Sequence, residues 1–294
     1  MMTGAKKMTA PTTDRHTRSH SQLNDYLHCS HAYYLKRMRK VQEAPSVWLA
    51  GGKAFHSATE MFDEHVEAGV GFTALVQEND PILDVDQWRD VFDDCYGHEL
   101  DAIRETDPDE STWRAAGRKT KDKPNGEDVA WWRLAGRDMI ARYINWRIST
   151  HDVLVMATVK GRPGIEVEVT TPIGGVPMRG YVDRVMVDAS GNHIVIDLKS
   201  GSRTPVSLMQ LALYSVQLEA LMGVPVSWGA YYDARKGTLG EPADLTRFTP
   251  QNLGAVYKNL DRAVDSGIFL PRIDSHCNAC SVRRACVYQG GIAP

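Results

Sequence analysis

No stretch of the 294 residues approaches the roughly 18 consecutive apolar positions that a bilayer-spanning helix needs, so the sequence predicts no membrane segment. Nor do residues 1–21 hold an apolar run fit for a secretory signal, which predicts a cytoplasmic protein. An excess of one charge is also missing: 34 Lys and Arg stand against 37 Asp and Glu, a formal net charge of −3. Bulk basicity therefore cannot draw in nucleic acid, and any such binding must come from a local positive surface or from bound cations. Cysteine is scarce and odd in number, at five. In a reducing compartment that count suits ligands better than disulfides. What is present is ordinary for a globular chain, with 43% hydrophobic, 24% charged and 8% aromatic residues. Such a chain buries roughly three quarters of its unfolded surface and needs no disulfide scaffold. Its length fits about two domains or one elaborated α/β domain.

Residues 1–20 are polar and without period, and are expected to form a disordered arm. Residues 21–69 read as helical, with two short turns broken around Cys29 and Ser30, then a longer helix over Trp48–Val66 that carries His56. Residues 70–150 read as a helical insertion, interrupted at 105–128 by a charged, Pro- and Gly-bearing stretch expected to be a mobile loop. From residue 151 the period changes. Ile165, Val167 and Val169 alternate with Glu166, Glu168 and Thr170, and further strands are expected over Arg179–Asp188, His193–Lys199 and Val226–Asp233, with a helix over Pro205–Met222. Residues 250–294 hold a helix to Ser266 and then an irregular segment bearing Cys277, Cys280 and Cys286.

Period-two geometry sends Asp197 and Lys199 to one face of their strand and Ile194, Ile196 and Leu198 to the other. A hairpin through Gly191 brings Asp183, in Gly180-Tyr-Val-Asp183-Arg, beside Asp197. Two converging carboxylates suit a hard divalent ion such as Mg²⁺, with Lys199 placed to orient water or stabilise charge beside it. Solvated strand-end residues give the same spacing. Downstream, Gln210 and Tyr214 lie four apart on a helix with Gln217 extending the polar line, which fits either a site or a face turned to water. A lone helical histidine such as His56 is more often structural than catalytic.

Together these residues resemble the PD-(D/E)XK nuclease superfamily, in its RecB-like branch that includes the CRISPR-associated iron-sulfur exonucleases. The carriers are Gly180-Tyr-Val-Asp183-Arg, Ile196-Asp197-Leu-Lys199-Ser-Gly201, Gln210-Leu-Ala-Leu-Tyr214 and His56 in Gly52-Lys-Ala-Phe-His56. The Pro that names the motif is absent before Asp183, a departure this branch tolerates. The resemblance implies an α/β, restriction-endonuclease-like core: a mixed central sheet flanked by helices over residues 151–249, with a helical insertion and a C-terminal cysteine segment. It implies Asp183, Asp197 and Lys199 as catalytic residues. Mg²⁺ or Mn²⁺ would be held by His56, Asp183, Asp197 and one of Glu166 or Glu168, and DNA positioned by Gln210 and Tyr214. The activity implied is exonucleolytic hydrolysis of linear, single-stranded DNA in recombination or repair. A CRISPR-adaptation processing nuclease or endonuclease using the same site, with helicase or recombination partners, and a non-catalytic DNA-binding accessory protein are the alternatives.

Cys277, Cys280 and Cys286 form a C-x2-C-x5-C run, close enough for one metal centre. The same resemblance supplies Cys29 as fourth ligand and implies a 4Fe-4S cluster with a mechanical role. Zinc, with His276 or His31 replacing a cysteine, is the rival. Cys95, in a helical stretch, reads as a small buried residue. Arg272, Arg283, Arg284 and Lys258 offer phosphate contacts or a merely solvated basic face.

Overall fold

The computed structural model describes residues 17–69, 72–78, 80–121, 123–203 and 205–292. Helices come first: α1 (His20–His28), α2 (Ser30–Tyr33), α3 (Val47–Ala68), α4 (Phe72–Glu78), α5 (Val85–Thr106) and α6 (Val129–Thr150). Strands β1 (Leu154–Met156), β2 (Thr158–Val159), β3 (Arg162–Pro163), β4 (Ile165–Ile173), β5 (Val176–Asp188) and β6 (His193–Lys199) follow. Helix α7 (Met209–Met222) then leads to β7 (Trp228–Asp233), β8 (Thr238–Leu239), β9 (Ala243–Asp244) and α8 (Pro250–Asp265). No helix among the described residues is long and apolar enough to cross a membrane.

The sheet is mixed, in the order β1-β5-β6-β7-β8, with β4 sharing an edge of β5 with β1, and β9 sharing an edge of β7 with β8. Strands β5 and β6 are antiparallel, whereas β6 and β7 run parallel because α7 returns the chain between them. Alternation along β6 explains the two cores. Ile194, Ile196 and Leu198 join α3, α5 and α6 in one cluster, and Val195 joins α7 and α8 in the other. Helices thus cover the sheet on both sides, and the helical stretch 70–150 forms one of those layers.

Close packing of that layer depends on glycine. A Cβ on Gly51 of α3 would lie 2.1 Å from Cε3 of Trp132 on α6. Trp132 is fully buried and cannot swing away, so Gly51→Ala is expected to cost about 2 kcal/mol or more. That corresponds to a melting temperature lower by about 5 °C, and an unchanged value would show that α3 and α6 do not pack this way.

Several expectations require correction. Residues 1–16 of the expected arm lie outside the described residues, but Arg18 and His20 are buried. Arg18 pairs with Asp261 at 2.6 Å and donates to Tyr33 Oη at 2.9 Å. The stretch 105–128 is pinned: the Val47 amide donates to the Arg114 carbonyl, and buried Glu127 takes a bidentate pair from Arg235 at 2.8 and 2.9 Å. Helix α7 begins at Met209, not Pro205. Val206 is exposed and buries no turn, and the Ser207 carbonyl is engaged by the Tyr231 hydroxyl at 2.8 Å. Cys95 is only partly buried.

Candidate active site

Three carboxylates align across the sheet. The β5–β6 register pairs Arg184 with Ile196, so the next step sets Asp183 opposite Asp197. On the other side, Glu166 stands between the pairs Ile165–Arg184 and Val167–Val182, level with Asp183. Glu166 departs from the strand with φ +43°, a left-handed conformation that costs a non-glycine residue about 1–2 kcal/mol. Helix α3 adds His56, and the bare Cα of Gly52 lets that helix come close to Ser200, just after Lys199. His56 Nδ1 lies 3.6 Å from Asp183 Oδ1 and 3.7 Å from Glu166 Oε1. One ligand atom from each of His56, Glu166 and Asp183 fits within 4.8 Å of the others.

The second half of the site runs from β6 to α7. Lys199 Nζ is 2.5 Å from Asp197 Oδ2 and donates to Gln210 Oε1 at 3.2 Å, while Gln210 Nε2 donates to the Tyr214 hydroxyl at 3.0 Å. The Leu198 amide donates to Asp183 Oδ2 at 2.6 Å, fixing that carboxylate against the neighbouring strand. His56, Glu166, Asp183, Asp197, Lys199, Gln210 and Tyr214 therefore share one neighbourhood. Glu168 does not join them, since it faces out, 3.3 Å from Arg179, and accepts from Tyr181. Gln217 is a structural lock, fully buried and donating to the Met178 carbonyl at 3.0 Å.

Crowding of like charge marks the site electrostatically. Burial pushes the Asp183 carboxyl up to about 7, with the Asp197 and Glu166 charges adding to the shift while His56 and Lys199 oppose it. Burial alone would lower His56, yet the charges of Asp183, Glu166 and Asp197 hold it above the usual histidine range. For Glu166 burial acts upward, but His56 and Arg184 outweigh it and keep the acid below its ordinary value. Asp197 Oδ2 is sealed from solvent and, beyond the Lys199 ammonium, has no hydrogen-bond donor among the described residues. A buried carboxylate oxygen short of a donor, beside two further acids and an imidazole, is the donor set a hard divalent cation takes. The residues fit such an ion, and the ligand atoms that converge on one point are those of His56, Glu166 and Asp183.

A layer beneath the acids escaped the sequence reading. Asp63 of α3, fully buried, accepts from Arg147 at 2.8 Å and Arg184 at 2.6 Å, and also from the Tyr143 hydroxyl. The available signal was Asp63 seven residues after His56, two helical turns along the same face, and an arginine inside each of two apolar stretches.

The cysteine segment lies elsewhere, against α1 and α2. Cys29, Cys277, Cys280 and Cys286 line one small cavity together with His31 and His276. The four cysteines are free thiols, and no three ligand atoms of this group approach within 4.8 Å among the described residues. Of the nearby cations, Arg272 pairs with Asp274 at 2.9 Å and Arg283 donates to Asn278, while Arg284 and Lys258 are exposed.

The chain is 28% identical over 277 residues to the Gene 69 protein of Mycobacterium phage D29, covering 92% of this chain and 96% of that one. It is 26% identical over 295 residues to the Gene 69 protein of Mycobacterium phage L5, covering 92% and 95%. The family profile of the PD-(D/E)XK nuclease superfamily matches residues 17–287, a span that takes in both the acid row of the sheet and the cysteine segment. An aspartate closing on the Asp-x-Lys of the next strand is thus found in a chain that, over nearly its whole length, belongs to the PD-(D/E)XK nuclease superfamily.

Proposed function

We propose that the protein is a cytoplasmic, metal-dependent DNA exonuclease that hydrolyses linear single-stranded DNA, of the RecB-like iron-sulfur branch. The observation that carries the reading is the cross-strand row Glu166, Asp183 and Asp197, flanked by His56 and Lys199. Mg²⁺ or Mn²⁺, when bound by those acids, supplies Lewis acidity and a more acidic water. Lys199, its ammonium fixed between Asp197 and Gln210, is poised to orient the attacking water and to neutralise charge growing on the phosphate. Gln210 and Tyr214 hold Lys199 from the helix side and open onto a polar groove with Arg179 and Tyr181, and His56 opens onto a second groove with Lys53 and Arg203. In this reading the strand passes from one groove to the other across the acids.

For the cysteines the proposal is a 4Fe-4S cluster that ties residue 29 to the C-terminal segment. The support is their arrangement about one cavity.

The deciding experiment uses end-labelled linear DNA, single- and double-stranded, with anaerobically purified protein and Mn²⁺. Wild type is expected to release labelled mononucleotides or short oligonucleotides from single strands, and Asp197→Ala to release none. Equal cleavage by both proteins would refute the site, and cleavage of closed circular DNA would make the enzyme an endonuclease.

A further inference from the structure

We infer that Arg184 is a positioning residue: braced by Asp63 of α3 and Tyr143 of α6, it holds Glu166 in the backbone conformation that delivers its carboxylate to His56 and Asp183. The inference rests on reading that cluster as a divalent-metal site. It starts from the one strained residue there. Glu166, the second residue of β4, has φ +43°, and such a conformation persists only where surrounding contacts hold it.

Arg184 supplies those contacts. Its side chain is fully buried, with Nε donating to Asp63 Oδ2 at 2.6 Å and to the Tyr143 hydroxyl at 3.1 Å. Its Nη1 donates to the Asp183 carbonyl at 2.6 Å and reaches Glu166 Oε1 at 3.4 Å. One planar group therefore spans α3, α6, β4 and β5, a task for which a lysine ammonium has the wrong shape. Charge points the same way. Asp63 is divided between Arg184 and Arg147, and Arg147 has Glu67 at 3.6 Å besides. Half of Arg184 is left to find a second carboxylate, and Glu166 is the one in reach. The helical stretch 70–150 becomes part of the metal centre by this route, since Tyr143 and Arg147 on α6 fix the arginine that fixes the acid.

The test is a double-mutant cycle read by Mn²⁺ binding. Full-length, metal-stripped protein is titrated with Mn²⁺ and free ion is followed by its electron paramagnetic resonance signal, with thermal unfolding as a check on folding. Glu166→Gln and Arg184→Lys are each expected to weaken binding by about 10-fold to 100-fold. The double variant is expected to bind within about twofold of Glu166→Gln alone, because Arg184 acts through that carboxylate. Should Arg184→Lys not fold, Tyr143→Phe runs the same cycle with a loss of several-fold. Wild-type affinity in the Arg184 or Tyr143 variant, or losses that multiply in the double variant, overturns the inference and leaves the metal site standing. Wild-type affinity in Glu166→Gln overturns the metal-site reading and the inference with it.

Discussion

Asp183→Asn is expected to lower hydrolysis by about 10³-fold or more while making the metal-free protein harder to unfold. The two effects have one cause. Asp183 is buried, level with Glu166 on one side and Asp197 on the other, and burial first, then those charges, push its carboxyl up to about 7. Between its ordinary value of 3.8 and about 7 the folded state holds the proton more tightly than the unfolded chain does. Stability from this group is therefore complete below about pH 4 and is lost as pH rises through about 7. Asparagine keeps an oxygen to accept the Leu198 amide, 2.6 Å away in the wild type, but never ionises. In chelator at pH 8, Asp183→Asn is expected to unfold at a free energy about 2 kcal/mol higher than wild type, with the gap closing as pH falls toward about 4. Urea titrations of both proteins across that range measure it. A gap independent of pH would show that the fold does not raise the Asp183 carboxyl, and retained cleavage would remove Asp183 from the site. The acid row is thus expected to lower the stability of the empty protein, with metal coordination relieving the repulsion.

The parts of this site legible in the sequence were those fixed by local period and by the family motif. Alternation along His193–Lys199 placed Asp197 and Lys199 together, and the Ser190-Gly191-Asn192 turn set the register that puts Asp183 opposite Asp197. Strand period could not choose between Glu166 and Glu168, which have equal parity. The choice is made by a positive φ at Glu166, a property that tertiary contacts with Arg184 impose and that no pattern of residue types announces. Strands β2, β3, β8 and β9 have two residues each, too few to show a period at all. The stretch 105–128 looked mobile because its sequence is charged and turn-rich, yet Trp113 is buried in the helical core and Glu127 by Arg235, more than a hundred residues distant. Asp63, Arg147 and Arg184 were missed for a related reason. A charged residue in an apolar stretch is assigned to the surface by default, and only the fold reveals that three such residues satisfy one another.

Cys280→Ser is expected to strip iron and sulfide from the protein and lower its melting temperature by about 10 °C, whereas Cys95→Ser is expected to do neither. From Gly267 onward the described residues form no helix longer than a few residues of 3-10 type, and so lack the cooperative backbone ladder that holds α8. Few of its apolar side chains compensate: Val282 is buried and Phe269 stacks on Tyr33, but Leu270 and Ile273 are 72% and 61% exposed, and Val287 and Tyr288 are about half exposed. Attachment to the body rests on a few bonds, including His31 and Ser30 donating to the Leu270 carbonyl and the Ala44 amide donating to that of Ser281. A segment that buries so little gains most of its order from a cross-link, and one closing residue 29 onto residues 277–286 would shut a loop of nearly the whole chain, the case in which closure most restricts the unfolded state. Cys95 lies half-buried in α5, away from that cavity, and its thiol is raised by burial and then by the Asp94 charge. Iron, sulfide and melting temperature are measured on anaerobic preparations of all three proteins. Wild-type protein with stoichiometric zinc and no sulfide would replace the cluster by a single ion, while a Cys280→Ser protein that melts with the wild type would mean that the C-terminal segment stands on its few hydrogen bonds alone.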